Sequence, residues 1–228
     1  MKIDKIIVIN LDRSPNKRER IESQLNKFGL DYIILPGFDG NLITNKSFNN
    51  LFKSGGHRFV PESKIPMMKT HMACALSHIF AINMAKSLNY ENILILEDDI
   101  TICEDFIERL KILEETVPPD WEHVYLGGMI WKPFIDTKRV SKYFYETCVV
   151  SGTHAYLLNS SVFRKMSEHL SQLSNNVDGM MCEILVKKII KSYMFIPFFA
   201  YQETMKSDIE LGKSEDRSMS KKFYTNKI

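Results

Sequence analysis

Several features are scarce in this chain of 228 residues, and each absence narrows the expected function. No apolar run is long enough to cross a bilayer, so we expect at most peripheral contact with a membrane. The 30 basic and 28 acidic residues leave a formal net charge of +2, and a protein that coats nucleic acid is therefore not expected. Internal repeats and low-complexity tracts are also missing. A hydrophobic content of 44% is instead sufficient for one globular core.

Cysteine is rare, and its 4 positions are far apart in the sequence: Cys74, Cys103, Cys148 and Cys182. They show none of the paired short spacings of a zinc site, so we expect buried free thiols in a reducing compartment. Charged residues interrupt the segment 1–6, where a signal peptide would be apolar. We therefore expect a soluble, non-exported, cytoplasmic protein.

The sequence does contain an alternation of strand and helix patterns. Hydrophobic periodicity predicts strands at 3–9, 32–35, 93–96, 124–126, 147–158 and 193–198. It predicts helices at 15–28, 70–88, 105–115, 161–173 and 179–191. Such alternation is typical of an α/β sandwich with a mainly parallel central sheet. We expect one domain over 1–209, with a long loop or lid at 41–69 and a polar tail at 210–228.

Three acidic residues, Glu97, Asp98 and Asp99, directly follow the apolar run 93–96. Ligands bind at the carboxyl ends of strands in such sheets, and clustered carboxylates need a cation to neutralise them. Oxygen ligands of this kind suit Mg²⁺ or Mn²⁺. The residues alone leave a second interpretation open, in which Asp98 or Asp99 caps a helix that begins near residue 104.

Polar residues 10–15 follow the first predicted strand and reach the same edge of the sheet. A serine followed by a proline predicts a helix start there, and helix N-termini bind anions. Arg13 and the three helical cations that follow suit a diphosphate. For Lys17 and Arg20 we favour a solvated face that pairs with Glu19 and Glu22. Arg13, in the loop itself, is the best candidate for phosphate binding.

At this point an ordered set of motifs carries a family resemblance. The motifs are Ile-Asn-Leu-Asp-Arg-Ser-Pro-Asn-Lys-Arg at 9–18, Gly-Phe-Asp-Gly at 37–40, Cys-Ala-Leu-Ser-His at 74–78, Leu-Glu-Asp-Asp at 96–99 and Gly-Thr-His-Ala-Tyr at 152–156. Together they resemble the family 25 glycosyltransferases, which include lipooligosaccharide and collagen galactosyltransferases. Later segments at 177–178, 202 and 207–209 also resemble that family.

The resemblance implies a GT-A-like three-layer α/β sandwich, a UDP-sugar donor, Mn²⁺ or Mg²⁺, and inversion at the anomeric carbon. It implies that Asp98 and Asp99 hold the metal, which would neutralise charge on the UDP leaving group. The implied donor-binding residues are Asn10, Leu11, Asp12, Arg13, Asp39, Gly40, Ser77, His78, Glu97, Asp98, His154 and Gln202.

An inverting transfer also needs a base that removes the proton from the acceptor hydroxyl. The resemblance favours Asp178 for this role, with Asp208 as a second candidate. From the residues alone, Asp178 could equally be the N-cap of a helix that begins at Gly179. Asp208 could equally be an ordinary exposed acid.

Other residues also keep two interpretations. His154 is either a ligand of the donor or metal, or a satisfied core histidine. Ser77 and His78 are adjacent on a helix and diverge by about 100°, so we expect no catalytic dyad. Three aromatic residues either form a platform for a sugar ring or pack in the core: Trp121, Trp131 and Phe134.

The expected function is transfer of a hexose, galactose or glucose, from a UDP-sugar to a hydroxyl of a glycan, glycolipid or glycoprotein acceptor. Two other functions remain open from the sequence. A metal-dependent nucleotidyltransferase would bind a nucleoside triphosphate rather than a UDP-sugar. A non-catalytic protein would bind the sugar nucleotide without turnover.

Overall fold

The computed structural model describes residues 1–54, 69–130, 137–147 and 150–202. Its strands are β1 (Lys5–Asn10), β2 (Tyr32–Pro36), β3 (Asn92–Glu97), β4 (Ile100–Ile102), β5 (His123–Ile130), β6 (Phe144–Glu146), β7 (Val150–Asn159), β8 (Ser192–Phe195) and β9 (Ala200–Gln202). Its helices are α1 (Pro15–Lys27), α2 (Asn45–Ser54), α3 (Lys69–Ser87), α4 (Phe106–Thr116), α5 (Phe163–Leu170) and α6 (Val177–Val186).

Seven of these strands form the central sheet, in the order β2-β1-β3-β7-β5-β8-β6. Strand β1 pairs in parallel with β2 and β3, and β5 pairs in parallel with β8. Strands β7 and β6 run antiparallel to their neighbours. Five of the seven described strands therefore share one direction, which confirms the predicted mainly parallel sheet.

The sheet is buried on both faces because successive side chains of its strands point to opposite sides. In β3, Ile93 and Ile95 pack in the cluster formed with α3, α5 and α6. Leu94 and Leu96 pack in the opposite cluster with α1 and α4. The predicted α/β sandwich of three layers is confirmed by these two cores.

Local sequence explains the bounds of helix α1. Pro15 occupies its first turn, where the missing N–H costs nothing. Gly29 follows the C-cap with φ +63°, a left-handed conformation that glycine adopts without steric cost. Ile21 and Leu25 are fully buried and fix the helix against the sheet.

The structure differs from the predicted elements in several places. The predicted loop 41–69 contains helix α2, and 55–68 lies outside the described residues, as does the tail 210–228. Strands β4, β6 and β9 were not predicted, because three residues are too few to show a period. β4 separates the acids 98–99 from α4, whose N-cap is Asp105, so the capping interpretation of those acids is wrong.

Strand pairing brings the candidate residues to one edge of the sheet. Ile9 near the end of β1 lies opposite Glu97 at the end of β3. The antiparallel β7 begins at this edge, where Ala155 lies opposite both Leu96 and Gly127. Within the described residues, no helix is both long and apolar enough to cross a bilayer.

Candidate functional site

The acidic turn, defined here as Glu97, Asp98 and Asp99, lies at the centre of this edge, at the end of β3 and before β4. Asp98 is 8% exposed and accepts a hydrogen bond from the Asn10 side-chain amide at 2.7 Å. The Lys17 ammonium lies 4.0 Å from the other carboxylate oxygen of Asp98. Burial and the neighbouring Asp99 charge raise the pKa of Asp98 to about 7, although Lys17 and Asn10 oppose this. Asp98 therefore needs a further cation to be fully ionised at neutral pH.

Glu97 faces the interior side of the acidic turn. Its Oε1 accepts a hydrogen bond from the Thr153 hydroxyl at 2.7 Å and lies 3.4 Å from Nε2 of His78. Burial alone raises the pKa of Glu97, but contact with His78, helped by His154 and Thr153, brings it below its usual range. Glu97 is therefore held in its ionised form, in contrast to Asp98.

Asp99 is fixed from the other side by Gln202. The Gln202 side-chain amide donates to Asp99 Oδ1 at 2.9 Å, and it lies 3.4 Å from Glu97 Oε2. This contact follows from the two-stranded sheet of β4 and β9, in which Ile100 lies opposite Gln202. The fold thus brings the predicted residue Gln202 directly to the acidic turn.

Asp178 lies in the first turn of α6 and not at its cap. The N-cap is Asn176, whose side chain accepts a hydrogen bond from the Gly179 N–H at 2.9 Å, so the capping interpretation of Asp178 is wrong. Asp178 instead accepts hydrogen bonds from the Gly152 N–H at 2.8 Å and the Thr153 hydroxyl at 3.3 Å. Burial, together with the Glu97 charge, raises the pKa of Asp178. Thr153 thus connects the carboxylates of Asp178 and Glu97.

The loop after β1 is held by its own charged pair. Arg13 donates from Nε to Asp39 Oδ2 at 2.7 Å, and Asp39 Oδ1 accepts from the Asn41 N–H at 2.9 Å. The neighbouring Gly40 lies directly on the start of α3, since a Cβ there would meet the Thr70 Cα at 2.6 Å. The motif at 37–40 therefore needs glycine at this contact and positions Arg13.

The helical cations separate into two groups. Arg18 pairs with Glu22 at 3.2 Å, as a solvated face requires. Arg20 donates to the Ile100 carbonyl and the Thr101 hydroxyl, so its side chain contacts β4. Its favoured pairing with Glu19 and Glu22 stays a prediction. The solvated face is wrong for Lys17, whose side chain is 12% exposed and whose ammonium lies 4.0 Å from Asp98.

Ser77 and His78 have separate partners, as expected for adjacent helical residues. Ser77 accepts a hydrogen bond from the Phe38 N–H at 2.8 Å and donates to the Ala73 carbonyl. Nδ1 of His78 lies 3.0 Å from the Tyr156 hydroxyl. Ser77 thus holds the loop after β2, and His78 connects β7 with the acidic turn.

His154 is fully buried on β7. A Cβ at Gly127 would lie 2.6 Å from its Nε2, and a Cβ at Gly152 would lie 2.9 Å from its Nδ1. Both glycines therefore leave room for the imidazole ring. The electrostatic interaction of His154 with Glu97 contributes to the lowered pKa of that carboxyl.

The acidic turn opens onto a cleft of about 640 Å³, a volume that includes solvent at its mouth. Eight of the implied donor-binding residues line the cleft, together with Lys17 and Asp99: Leu11, Arg13, Gly40, Ser77, His78, Glu97, Asp98 and Gln202. Asn10 and Asp39 lie behind the lining as partners of Asp98 and Arg13, and Asp12 is exposed.

The remaining candidates are placed elsewhere. Asp208, Trp131 and Phe134 lie outside the described residues. Trp121 is 9% exposed and packs in the core beside α4. Of the cysteines expected to be buried, Cys103 is buried, Cys74 and Cys182 are partly buried, and Cys148 lies outside the described residues.

Sequence reasoning missed Thr153 and misjudged Lys17. Thr153 occupies the strand position between Gly152 and His154, and its two acidic partners come from distant segments. No local pattern in the sequence indicates these contacts. Lys17 lies three residues after the serine cap, in the first turn of α1. Because helix N-termini bind anions, this position could have indicated that its side chain lies at the anion site.

Comparison with known proteins agrees with the motifs. The sequence profile described as "Glycosyltransferase family 25 (LPS biosynthesis protein)" matches residues 3–181. The chain belongs to glycosyltransferase family 25. The α/β sandwich expected for this family is the architecture described above.

Among family 25 relatives, a "Glycosyltransferase 25 family member" of Aedes aegypti is 27% identical over 74% of this chain and 28% of its own length. "Procollagen galactosyltransferase 2" of Mus musculus is 28% identical over 56% of this chain and 21% of its own length. "Inactive glycosyltransferase 25 family member 3" of Homo sapiens is 27% identical over 54% and 22%. The chain thus spans about a quarter of the length of these relatives.

A solved structure described as a glycosyltransferase involved in the glycosylation of the major capsid of PBCV-1 is also similar to this chain. The two are 11% identical, with a TM-score of 0.49, over 85% of this chain and 81% of the other.

Proposed function

We propose that this chain is a metal-dependent inverting glycosyltransferase that moves a hexose from a UDP-sugar to a hydroxyl group of an acceptor. One observation carries the proposal: the acidic turn, Lys17 and Arg13 line the same cleft at the carboxyl edge of the sheet. Acids for a metal and cations for a diphosphate are the two requirements of a nucleotide-sugar site. Family membership supports the reaction class.

The carboxylates at the end of β3 suit a hard divalent cation. Asp98 and Asp99 are adjacent carboxylates, and their mutual repulsion contributes to the raised pKa of Asp98. A cation held by these oxygens would relieve that repulsion, and carboxylate oxygen suits Mn²⁺ or Mg²⁺. When bound, the cation supplies charge neutralisation for the diphosphate leaving group.

The cationic residues of the cleft would bind the donor diphosphate. The Lys17 ammonium lies 4.0 Å from Asp98, so it would pair with a phosphate bound beside the acidic turn. Arg13 is held by Asp39 and lines the cleft. The N-terminal end of α1 adds the favourable dipole of a helix start.

Asp178 is the proposed base. Burial and the Glu97 charge raise the pKa of Asp178, which makes its carboxylate a stronger base. The hydrogen bonds from Gly152 and Thr153 fix the orientation of the carboxylate. In the proposed step, an oxygen lone pair of Asp178 takes the acceptor hydroxyl proton as the acceptor oxygen attacks the anomeric carbon. The bond from that carbon to the diphosphate oxygen breaks, and UDP leaves with its electron pair.

Galactose is the first donor sugar to test, because relatives carry the name procollagen galactosyltransferase. The proposed acceptor is a hydroxyl group of a glycan, glycolipid or glycoprotein. Asp208 is the second candidate base, and the proposed location is cytoplasmic.

The first test is thermal unfolding with UDP, UDP-galactose, UDP-glucose or ATP, each with Mn²⁺ or with a chelator. A ligand at 100 times its Kd stabilises the fold by roughly 2.7 kcal/mol, which shifts the melting temperature measurably. We expect a shift with uridine ligands plus metal and its loss in Asp99→Asn. A preference for ATP would instead support a nucleotidyltransferase.

A non-catalytic sugar-nucleotide-binding protein is the second candidate, because a human relative is named as inactive. The two candidates share binding and differ in turnover. Slow hydrolysis of UDP-galactose to UDP and galactose, measured without any acceptor, separates them. Release of UDP that is lost in Asp178→Asn would support the enzyme, and binding without release would support the second candidate.

A further inference from the structure

Three different donor atoms converge on the floor of the cleft, apart from the Asp98–Asp99 pair. Cys74 and His78 are one helical turn apart on α3, so both side chains project from the same face. Glu97 reaches them from the end of β3. One donor atom from each residue lies within 4.8 Å of the others.

His78 is already oriented as a metal-binding histidine would be. Its Nδ1 lies 3.0 Å from the Tyr156 hydroxyl, a contact that fixes the ring and leaves Nε2 toward Glu97. The side chain is 1% exposed. Among the described residues, Nε2 has no hydrogen-bond partner of good geometry and only the 3.4 Å ionic contact with Glu97. A buried nitrogen is therefore aimed at the space between the three donors.

We propose that Cys74, His78 and Glu97 form a binding site for a thiophilic divalent cation with the coordination chemistry of Zn²⁺. Sulfur, imidazole nitrogen and carboxylate oxygen are the ligands that Zn²⁺ takes, and three protein ligands leave a fourth position for water from the cleft. On binding, the S–H bond of Cys74 breaks, its proton leaves to solvent, and the thiolate bonds to the cation. No oxidation or reduction is involved.

This site differs in chemistry from the pair Asp98 and Asp99. The pair offers only hard oxygen and suits Mn²⁺ or Mg²⁺, whereas a thiolate selects softer cations. Glu97 is a ligand of the proposed site and is also adjacent to the Asp98–Asp99 pair. A cation bound to Cys74 would therefore draw Glu97 away from its contacts with Thr153 and Gln202. A consequence, which rests on the proposed function, is that Zn²⁺ inhibits transfer even at saturating Mn²⁺.

Co²⁺ is the probe for the site because thiolate coordination gives an intense near-ultraviolet absorption band. The intact chain is titrated with Co²⁺ in the absence of nucleotide, and Zn²⁺ is then added. We expect the thiolate-to-Co²⁺ band to appear, to disappear on addition of Zn²⁺, and to be lost in Cys74→Ser. Tyr156→Phe is expected to weaken Co²⁺ binding by roughly 10- to 100-fold, as removal of an outer-shell partner does.

The matched control is Cys182→Ser, which changes a partly buried thiol on α6 and should keep the band. Circular dichroism verifies that each variant is folded. The proposal is overturned by a wild type without the band, or by a band that persists in Cys74→Ser. Thermal stabilisation by UDP and Mn²⁺ is measured separately on wild type and Cys74→Ser, so its failure concerns only the proposed function.

Discussion

The two sides of the cleft are built differently. On the acidic side, Glu97 and Asp99 extend from strand ends, and each is held by a side chain from another strand, Thr153 or Gln202. On the cationic side, Arg13 lies in a loop, and 38% of its side chain is exposed. Arg13 forms an ion pair with Asp39 at 2.7 Å.

This difference indicates how each side responds to change. A carboxylate held by the sheet keeps its position when a neighbour is altered, so loss of its charge acts directly on the ligand. Exposed charges interact weakly and are screened by salt. We therefore expect large, salt-independent effects on the acidic side and a small, salt-dependent effect for the exposed Arg13 on the cationic side.

The largest effect is expected for Asp99→Asn, which removes a charge but retains the shape of the side chain. Loss of metal charge at the leaving group costs several kcal/mol, and about 4 kcal/mol corresponds to a loss of roughly 10³-fold in transfer rate. Steady-state kinetics with UDP-galactose and Mn²⁺ measure it.

Glu104→Gln is the matched control for this variant, since Glu104 is an exposed acid just beyond β4. It should leave the rate within twofold. An Asp99→Asn enzyme that keeps more than a tenth of wild-type activity would show that the acidic turn does not hold the catalytic metal.

A smaller loss, roughly 10²-fold, is expected for Asp178→Asn, in line with removal of a general base. This variant separates the proton transfer assigned to Asp178 from the donor binding assigned to the acidic turn. Because Asp178 is not among the residues that line the described cleft, UDP affinity should be unchanged. Parallel measurement of the transfer rate and the UDP dissociation constant tests this division.

Thr153→Val gives a sharper comparison, because it removes the hydroxyl that joins Asp178 and Glu97 and keeps the side-chain shape. We expect a loss of transfer rate smaller than that of Asp178→Asn, and restoration of the rate by Thr153→Ser, which keeps the hydroxyl.

If Asp178→Asn weakens UDP binding as much as it slows transfer, Asp178 is a binding residue and the base lies elsewhere.

The sequence predicted the position of this site better than its contacts. Apolar runs at 3–9 and 93–96 placed two parallel strands side by side, and the polar residues after them then had to share one edge. The contacts of Gln202 could not be predicted, because β9 has three residues and pairs with β4 about a hundred positions away. Periodicity indicates which face a residue occupies and carries no information about such distant partners.

Helix caps show the same limit of prediction from sequence, here among residues that are close together in the chain. Asn175, Asn176 and Asp178 all have side chains that cap helices, and local sequence does not choose among them. The structure selects Asn176, because β7 supplies the Gly152 N–H to Asp178. A long-range contact therefore decides a local assignment.

The buried histidines His78 and His123 allow a similar comparison of two environments in the protein interior. His78 faces a carboxylate, whereas His123 has the Ser192 hydroxyl at 2.9 Å and two tyrosine rings as neighbours. Burial lowers the pKa of His123 to about 3. Between about pH 6.5 and 3, the unfolded chain binds a proton that the folded chain does not, so this residue lowers stability as pH falls.

We expect His123 to lower the free energy of unfolding by about 1.4 kcal/mol for each pH unit below pH 6.5 and to have no such effect above pH 7. Urea unfolding of wild type and His123→Gln at pH 5 to 8 measures it as the difference between the two pH slopes. Ser192→Ala, which removes only the hydroxyl partner, should lower stability at every pH and keep the wild-type slope. Parallel slopes for wild type and His123→Gln would show that His123 is protonated in the folded state.

The smallest effect is expected for Arg13→Ala, on the exposed cationic side. Loss of one screened contact to a diphosphate should weaken UDP binding by about fivefold at low salt, since an exposed ion pair contributes up to roughly 1 kcal/mol. At 1 M salt, where the screening length is about 3 Å, wild type and variant should bind equally. Arg18→Ala is the matched control, because Arg18 is a similarly exposed cation already paired with Glu22. A salt-independent loss for Arg13→Ala would mean that its guanidinium is buried against the bound nucleotide, and the two sides of the cleft would then be equivalent in the complex.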